Sequence, residues 1–218
     1  MKRVLIALTS HAELGDTGKP TGFYVSEAAE PWEALTAAGH RVDLVSVAGG
    51  KPPRDGENPD DPTQRAFLDA TPVDDTPAPG DLDAADYDAI LFAGGHGAMW
   101  DFPGNPGLGA LARGIYERGG FVAAVCHGPA GLVGLTLSDG SFLVGGKRVA
   151  AFTNEEETAV GLTGVVPFLL ADRLVEQGAE HVPAAMWASN AVRDGRLITG
   201  QNPQSAPAVA KELVEALA

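Results

Sequence analysis

The chain has 218 residues, which is enough for one compact domain with a large core but too few for two full domains. Its 15 Lys and Arg residues against 29 Asp and Glu residues give a net charge of -14, which argues against binding to nucleic acid or to an anionic membrane surface. One cysteine excludes an internal disulfide, and no apolar stretch approaches the length of a membrane span, so we expect a soluble cytoplasmic protein.

Short apolar runs alternate with helical patterns along the chain. In chain order, the predicted strands are Arg3–Leu8, Arg41–Val47, Ala89–Ala93, Phe121–Val125, Arg148–Phe152 and Arg196–Thr199. The predicted helices are Tyr24–Ala38, Leu108–Arg118, Pro129–Leu135, Val165–Gln177 and Pro203–Leu217. Runs such as VLIAL and FVAAV are apolar throughout, which is typical of strands buried on both faces. The pattern predicts an α/β fold in which helices cover both faces of a parallel sheet.

Residues 51–83 interrupt this alternation. The segment holds seven of the 16 prolines and nine acidic residues, with one short helix predicted over Thr63–Ala70. Because predicted strands of the same sheet lie on both sides of it, we expect an ordered surface excursion, rich in proline and acid, within a single domain that spans residues 1–218.

The only cysteine lies in AAVCHGPAGL, residues 123–132. The segment reads as a strand, a one-residue turn and a helix, so it predicts a nucleophile elbow with Cys126 at the turn. Amides at the start of the following helix would favour the thiolate and lower the pKa of the thiol. A buried structural cysteine is the alternative, and the Gly-Pro helix start and the adjacent His127 argue against it.

A glycine-rich loop, GGHG at residues 94–97, follows the predicted strand AILFA. Its backbone amides are expected beside the elbow, where they could receive a developing oxyanion, although a tight structural turn needs glycine equally. A dinucleotide-binding loop is a weak alternative, because Trp100 stands where a third glycine is required. His96, His127 and Cys126 could approach one another, but no cluster has the spacing of metal ligands, and we expect no metal.

Five segments together resemble a known family. They are TGFYVSEAAEPW (21–32), GGHGAMWD (94–101), AAVCHGPAGL (123–132), AFTNEEETAVGL (151–162) and LITGQNP (197–203). In this order they are similar to the ThiJ/PfpI superfamily, the Parkinsonism-deglycase-like proteins, which carry a class I glutamine amidotransferase-like domain. The similarity is greatest to the branch of heat-shock chaperones and glutathione-independent glyoxalases. It covers nearly the whole chain, from Arg3 to the C-terminal helix.

The resemblance implies a flavodoxin-like three-layer sandwich with a mainly parallel central sheet, usually found as a homodimer. It implies that Cys126 is the catalytic nucleophile and that His127 lies beside it. It also places a carboxylate that orients the histidine within AFTNEEETAVGL, where Glu157 matches better than Glu155 or Glu156.

The same resemblance implies a second carboxyl, Glu27 of the first helix, next to the sulfur. A buried carboxyl has a raised pKa and would donate a hydrogen bond to a thiolate, whereas a solvated helix position is the alternative for Glu27. The backbone amides of Gly95 and His127 are the expected oxyanion donors, and Trp100 is expected to help bind the substrate.

The leading functional hypothesis is a cofactor-free glyoxalase III-type (D-lactate dehydratase) reaction. The thiolate of Cys126 would add to a small 2-oxoaldehyde such as methylglyoxal, and His127 or Glu27 would move a proton from C1 to C2 to give a 2-hydroxy acid. Alternatives are a protein deglycase, a stress-response holdase chaperone that binds unfolded or glycated proteins, and another hydrolase such as a peptidase or isonitrile hydratase. Amidotransferase activity is not expected, because that chemistry uses a downstream His-x-Glu pair and His181 is followed by Val182 and Pro183.

Overall fold

A computed structural model describes all 218 residues. Its strands are β1 (Arg3–Leu8), β2 (Phe23–Tyr24), β3 (Arg41–Ser46), β4 (Arg54–Asp55), β5 (Ala89–Phe92), β6 (Phe121–Val125), β7 (Arg148–Val149), β8 (Glu180–His181), β9 (Ala191–Asp194) and β10 (Leu197–Gly200). Its α-helices are α1 (Val25–Ala37), α2 (Pro62–Ala70), α3 (Ala98–Asp101), α4 (Pro106–Glu117), α5 (Asn154–Ala159), α6 (Leu170–Glu176) and α7 (Ala206–Leu217). None of the helices is long and apolar enough to cross a membrane.

Six strands form the central sheet in the order β3-β1-β5-β6-β10-β9. Five of them are parallel, and only β9 runs antiparallel, against β10. Helices α1, α2 and α7 cover one face of the sheet, and α4 and α6 cover the other. This is the mainly parallel, flavodoxin-like three-layer α/β sandwich that the sequence predicts.

The apolar strands are buried because both of their faces meet a helical layer. In β1, Val4, Ile6 and Leu8 pack into the core beneath α1 and α7. Leu5 and Ala7 point the other way, into the core beneath α4. All five side chains are fully buried, as continuous apolar runs in a covered parallel sheet require.

The prediction that Arg148–Phe152 forms a strand of the central sheet is wrong. Only Arg148–Val149 is extended and paired, and it pairs with Glu180–His181 in a separate two-stranded sheet. The chain beyond it turns toward the carboxyl end of β6, where the Phe152 amide donates to the Cys126 carbonyl at 3.0 Å. The apolar residues after β7 therefore line the region around the elbow rather than extend the sheet.

The helix predicted over Pro129–Leu135 is reduced to one 3-10 turn, Gly128–Leu132. The turn ends at Val133, whose backbone is extended. Gly131 packs so closely on the Phe92 ring that no side chain fits there, and Gly134, with a φ of 79°, prevents a helix from continuing to Leu135. Glycines at this density cannot sustain an α-helix.

Two further elements differ from the prediction. The helix expected from Val165 begins only at Leu170, because Pro167 lacks an amide and disfavours helical geometry at the preceding residue. The sheet gains β9, which the sequence analysis missed and which joins β10 as a hairpin. Its signal was Gly195, the first residue of the two-residue turn Gly195–Arg196, where a tight hairpin favours glycine, and Gly195 has the positive φ of 59° that such a turn needs.

Residues 51–83 fold against α1. Within them β4 pairs with β2, and α2 begins at Pro62, one residue before the predicted start. Asp61 caps α2 by accepting hydrogen bonds from the amides of Thr63 and Gln64. The pairing of β4 with β2 brings Asp55 to the same edge of the structure as the elbow, so this segment contributes to the candidate site.

Candidate active site

The elbow places Cys126 directly after β6 with a φ of 60°, a left-handed conformation that is unusual for a residue other than glycine. Its amide donates to the Gly200 carbonyl at 3.0 Å, and its own carbonyl accepts from Phe152. These two bonds hold the strained turn between neighbouring segments. The thiol is 3% exposed, at the bottom of a small cavity.

Glu27 reaches the sulfur from the first turn of α1 and is completely buried. Its carboxyl is approached by the Cys126 thiol and the Gly94 amide, although neither carboxyl oxygen has a partner at full hydrogen-bond geometry. Burial raises the pKa of Glu27 to about 8, and the thiol and amide contacts offset only part of this effect. A carboxyl of this kind can both hold and release a proton near neutral pH.

His127 turns back toward the sulfur, which adjacent residues in a regular strand or helix do not do. Its Nδ1 lies 3.4 Å from the Cys126 sulfur, and its Nε2 lies 2.8 Å from Glu157. The positive φ of Cys126 makes this possible. The second oxygen of Glu157 lies 2.9 Å from Nε2 of His96, so one carboxylate orients two imidazoles.

The charges of this group follow from its burial. Burial raises the pKa of Glu157, but the hydrogen bonds from His127 and His96 outweigh it and bring the pKa to about 2. Burial and, to a smaller extent, the neighbouring His96 lower the pKa of His127 to about 4, and the hydrogen bond to Glu157 offsets only part of this effect. An ionised Glu157 only accepts, so both imidazoles donate their Nε2 protons to it, and Nδ1 of His127 is left to accept from the thiol.

The thiol differs from the sequence-based expectation of a lowered pKa. Burial raises the pKa of Cys126 well above its usual value, and the negative charge of Glu27 adds to this. The backbone amides of Gly95 and His127 hydrogen-bond to the sulfur and lower its pKa, but they do not offset burial. The sequence-based expectation considered only the effect of the backbone amides on the pKa of Cys126. It could not include the burial of the sulfur beside the Glu27 carboxyl, because that burial arises only in the folded chain.

The cavity above Cys126 has a volume of about 180 Å³. Four of the predicted site residues line it: Glu27, Gly95, Cys126 and His127. Glu157, a fifth, contacts the far side of the His127 ring. Further lining residues that the sequence analysis did not assign to the site are Tyr24, Asp55, His96, Phe152, Val160, Trp187 and Pro203.

Comparison with known proteins gives the family of this chain. Residues 20–216 match the model of the DJ-1/PfpI family. The chain belongs to the DJ-1/PfpI family. It is 33% identical to a protein of Saccharomyces cerevisiae named glutathione-independent glyoxalase HSP31, over 99% of this chain and 98% of that protein.

Solved structures of DJ-1/PfpI relatives superpose closely on this one. A rapid encystment protein of Francisella tularensis is 39% identical, covers 100% of both chains and has a TM-score of 0.95. A glyoxalase III from Candida albicans is 32% identical, covers 99% of this chain and 97% of its own, and has a TM-score of 0.91. These structures share the whole architecture of this DJ-1/PfpI protein.

Trp100, which was expected to help bind the substrate, does not line the cavity of this DJ-1/PfpI protein. It lies on α3, which turns away from Gly95, and its ring stacks on His11 with the centroids 4.9 Å apart. Trp187 is the tryptophan that lines the cavity. Glu155 also lies outside the group, whereas Glu156 is fully buried and Glu157 bonds the histidines.

One trio of this DJ-1/PfpI protein could hold a metal ion. His96, His127 and Glu157 offer ligand atoms that all lie within 4.8 Å of one another. Two imidazoles and a carboxylate suit zinc or another divalent transition metal. The same atoms already satisfy one another by hydrogen bonds, so the trio is complete as an orienting group for His127.

Replacing Gly94 with alanine is expected to lower the free energy of unfolding by about 1–3 kcal/mol, the usual cost of overpacking a core. A Cβ at this position would collide with the Glu27 carboxyl and would lie 2.6 Å from the Val125 carbonyl and 2.9 Å from Cβ of Cys126. Urea unfolding measures the effect. Gly164→Ala is the matched control, because a Cβ there meets nothing within 4 Å, and an equal loss in both variants would contradict the prediction.

Proposed function

We propose that this protein is a glutathione-independent glyoxalase that converts small 2-oxoaldehydes such as methylglyoxal into 2-hydroxy acids. The observation that carries the proposal is the buried pairing of the Cys126 thiol with the Glu27 carboxyl beneath a small cavity. The yeast relative named as a glyoxalase and the Candida glyoxalase III structure support the same reaction. A cavity of about 180 Å³ suits a substrate of a few heavy atoms.

The first step adds the sulfur to the aldehyde carbon, C1. Two groups face the thiol proton, and Glu27, with a pKa of about 8, binds it more strongly than His127, with a pKa of about 4. Glu27 therefore takes the proton as the S–C1 bond forms, and returns it to the developing C1 alkoxide to complete a hemithioacetal. The amides of Gly95 and His127, which face the sulfur, stabilise negative charge on the oxygen during this step.

The second step moves hydrogen from C1 to C2. The Glu27 carboxylate removes the C1 proton, and the electron pair forms an enediolate with the negative charge on the C2 oxygen. The hydroxyl proton passes from the C1 oxygen to the C2 oxygen, and the Glu27 carboxyl then delivers its proton to C2 as the C1 carbonyl forms. The product of this step is a thioester of Cys126 with a hydroxyl at C2. Oxidation at C1 is balanced by reduction at C2, so the chemistry requires no redox cofactor.

Water completes the cycle by adding to the thioester carbon. The C–S bond breaks, the 2-hydroxy acid leaves and the sulfur regains a proton. His127 faces the sulfur with Nδ1 and is held by Glu157, so it orients the thiol throughout, and His96 fixes the other oxygen of that carboxylate. Glu157 is thus a positioning residue, because it acts through His127.

The test is turnover of methylglyoxal by the purified protein without added glutathione. The expected result is many equivalents of lactate for each chain, measured together with the loss of the 2-oxoaldehyde. The control is a reaction mixture without protein, which reports the spontaneous loss of methylglyoxal. Stoichiometric consumption without lactate would contradict the glyoxalase proposal and indicate simple trapping by side chains.

Repair of glycated proteins uses the same thiol but fits this cavity less well. Cys126 is 3% exposed at the bottom of the cavity, so an adduct on a folded protein must extend a side chain into it. A free 2-oxoaldehyde meets no such restriction, which is why we place it first. The homodimer, the cytoplasmic location and holdase binding of unfolded proteins stay predictions.

A further inference from the structure

Two residues other than glycine have a positive φ, and both line the same cavity. They are Cys126 at 60° and Trp187 at 63°. Such a conformation is strained for a bulky residue and persists only where the surroundings enforce it. The elbow explains Cys126. Trp187 lies in a loop, at the third position of a tight turn in which the Ala188 amide donates to the Ala185 carbonyl at 3.1 Å. A positive φ at this position favours glycine, so the surroundings must hold a bulky residue there.

The loop is held by Glu156, the neighbour of the carboxylate that orients His127. The Trp187 amide donates to Oε1 of Glu156 at 2.9 Å, and the same oxygen accepts from Gln201 at 3.1 Å and Asn202 at 2.8 Å. The other oxygen accepts from the amide and hydroxyl of Thr153 at 3.0 and 2.9 Å. Five donors satisfy this fully buried carboxylate, and hydrogen bonds to an ionised group are the strong ones.

Further hydrogen bonds fix the loop on both sides of the tryptophan. The Gln201 side chain accepts from the Ala184 amide at 2.8 Å, and the Asn202 side chain donates to the Ala188 carbonyl at 2.9 Å. Gln201 and Asn202 directly follow β10, so the central sheet itself anchors the loop. The position of the Trp187 ring is thus fixed by rigid structure and not by its own contacts alone.

The indole stands at the mouth of the cavity. Its ring meets Phe152 edge-on with the centroids 5.8 Å apart, and Phe152 in turn packs on His127 at 4.3 Å. Trp187 is 39% exposed and lines the cavity that holds the Cys126 sulfur, so it borders both the solvent and the cavity. A substrate substituent longer than methyl would have to pass or displace this ring.

We propose that Trp187, held in its strained conformation by Glu156, selects 2-oxoaldehydes with a small aliphatic substituent and excludes those with an aromatic one. This inference rests on the proposed glyoxalase function, which it deepens by naming the substrate class. Trp187 restricts the volume directly, and Glu156 is a positioning residue that acts through the loop.

The test compares methylglyoxal with phenylglyoxal in Trp187→Gly, a variant that removes the ring and adopts a positive φ without strain. The ratio of kcat/KM for phenylglyoxal to that for methylglyoxal is expected to rise by about tenfold or more, the scale of discrimination by an apolar pocket. Trp187→Phe is expected to give an intermediate ratio. Glu156→Gln should shift the ratio in the same direction, because it weakens the bonds that hold the loop; a change in stability alone would alter both substrates equally.

Met186→Ala is the matched control, because Met186 is the exposed neighbour of Trp187 and does not line the cavity. Its ratio is expected to equal that of the wild type. A ratio in Trp187→Gly that also equals the wild-type value would overturn the inference.

A second readout separates this inference from the glyoxalase proposal. Cys126 is the only cysteine, so its rate of alkylation can be measured directly with N-methylmaleimide and with N-phenylmaleimide. Trp187→Gly is expected to speed the reaction with the phenyl reagent by about tenfold more than the reaction with the methyl reagent, on the same scale of discrimination. If the phenyl reagent gains more than the methyl reagent but the protein does not turn over methylglyoxal, size selection by Trp187 is retained and the glyoxalase function is rejected. If the relative rates of the two reagents do not change, size selection by Trp187 is rejected.

Discussion

Replacing Cys126 with serine is expected to lower kcat for methylglyoxal by roughly 1,000-fold or more, the scale of loss when a covalent nucleophile is removed. Serine has nearly the same shape, but its hydroxyl is a far weaker nucleophile than a thiol at neutral pH. Burial opposes ionisation at this position even for the thiol, so a buried hydroxyl would not ionise there. The measurement is lactate formation under saturating methylglyoxal.

The control for this variant is its stability. Because the positive φ of Cys126 and both of its backbone hydrogen bonds persist in the variant, the urea midpoint is expected to match that of the wild type within error. Cys126→Ala, which lacks any nucleophilic atom, should lose activity to the same extent. Retention of more than about a tenth of the wild-type kcat by both folded variants would reject covalent catalysis by this residue.

The elbow was predictable because its determinants are local. A strand that is apolar throughout, a single turn residue and a following Gly-Pro occupy consecutive positions, so the sequence contains the whole motif. Glu27 and Glu157 came from the resemblance to a family, since nothing near them in the chain reveals that they meet at the sulfur. The structure brings both to the carboxyl edge of the sheet, where β1, β5, β6 and β10 all end.

The residues that sequence reasoning missed depend on long-range packing. His96 was expected to be able to approach His127 and Cys126 but was given no role, because its bond to the second oxygen of Glu157 requires α5 to lie opposite the glycine-rich loop. Trp187 has a conformation that favours glycine, so no turn propensity points to it. Trp100 was expected to bind the substrate because it lies close in sequence to the glycine-rich loop. It lies instead on α3, which begins directly after that loop and carries its side chain away from the cavity.

The strand and helix limits failed for reasons that can be stated for each element. Pro167 delays α6, and the glycines after the elbow shorten the predicted helix to a 3-10 turn. The apolar run after β7 was interpreted as a strand because apolar content alone does not distinguish a sheet strand from a segment that packs around a site. In this protein that run delivers Phe152 to the cavity.

Replacing Glu27 with glutamine is expected to lower kcat by about 100- to 10,000-fold, the usual contribution of a positioned acid or base. Glutamine has the shape of glutamate but cannot take up the thiol proton, remove the C1 proton or deliver it to C2. His127 remains in place in this variant, yet its pKa of about 4 makes it a poor substitute. The same lactate assay measures the loss.

The pH dependence gives this prediction a second readout. The reactive form of the site has a neutral Cys126 thiol beside an ionised Glu27 carboxylate. This form becomes populated as Glu27 loses its proton near pH 8. In the wild type, kcat/KM is therefore expected to rise with pH up to about 8 and then level off, and Glu27→Gln should lose this rise. A rise that persists unchanged in Glu27→Gln would assign the titration, and the proton transfer, to another group.

Stability should change in the opposite direction to activity. The folded pKa of Glu27 lies above its usual value, so the carboxyl's contribution to stability is fully present below about pH 4.5 and is lost as the pH rises toward 8. Glutamine carries no charge at any of these pH values. Glu27→Gln is therefore expected to unfold at a higher urea concentration than the wild type at pH 8, which excludes misfolding as the cause of its lost activity.

Glu30→Gln is the matched control, because Glu30 lies one helical turn further along α1 and does not line the cavity. Burial raises the pKa of Glu30 to about 7, and its negative charge in turn raises the pKa of Glu27. The control is expected to keep its maximal kcat while the rise in kcat/KM moves to lower pH, since the neighbouring charge is gone. If Glu30→Gln lost as much turnover as Glu27→Gln, both carboxyls of α1 would be needed for the reaction. That result would contradict the assignment of the proton transfers to Glu27 alone.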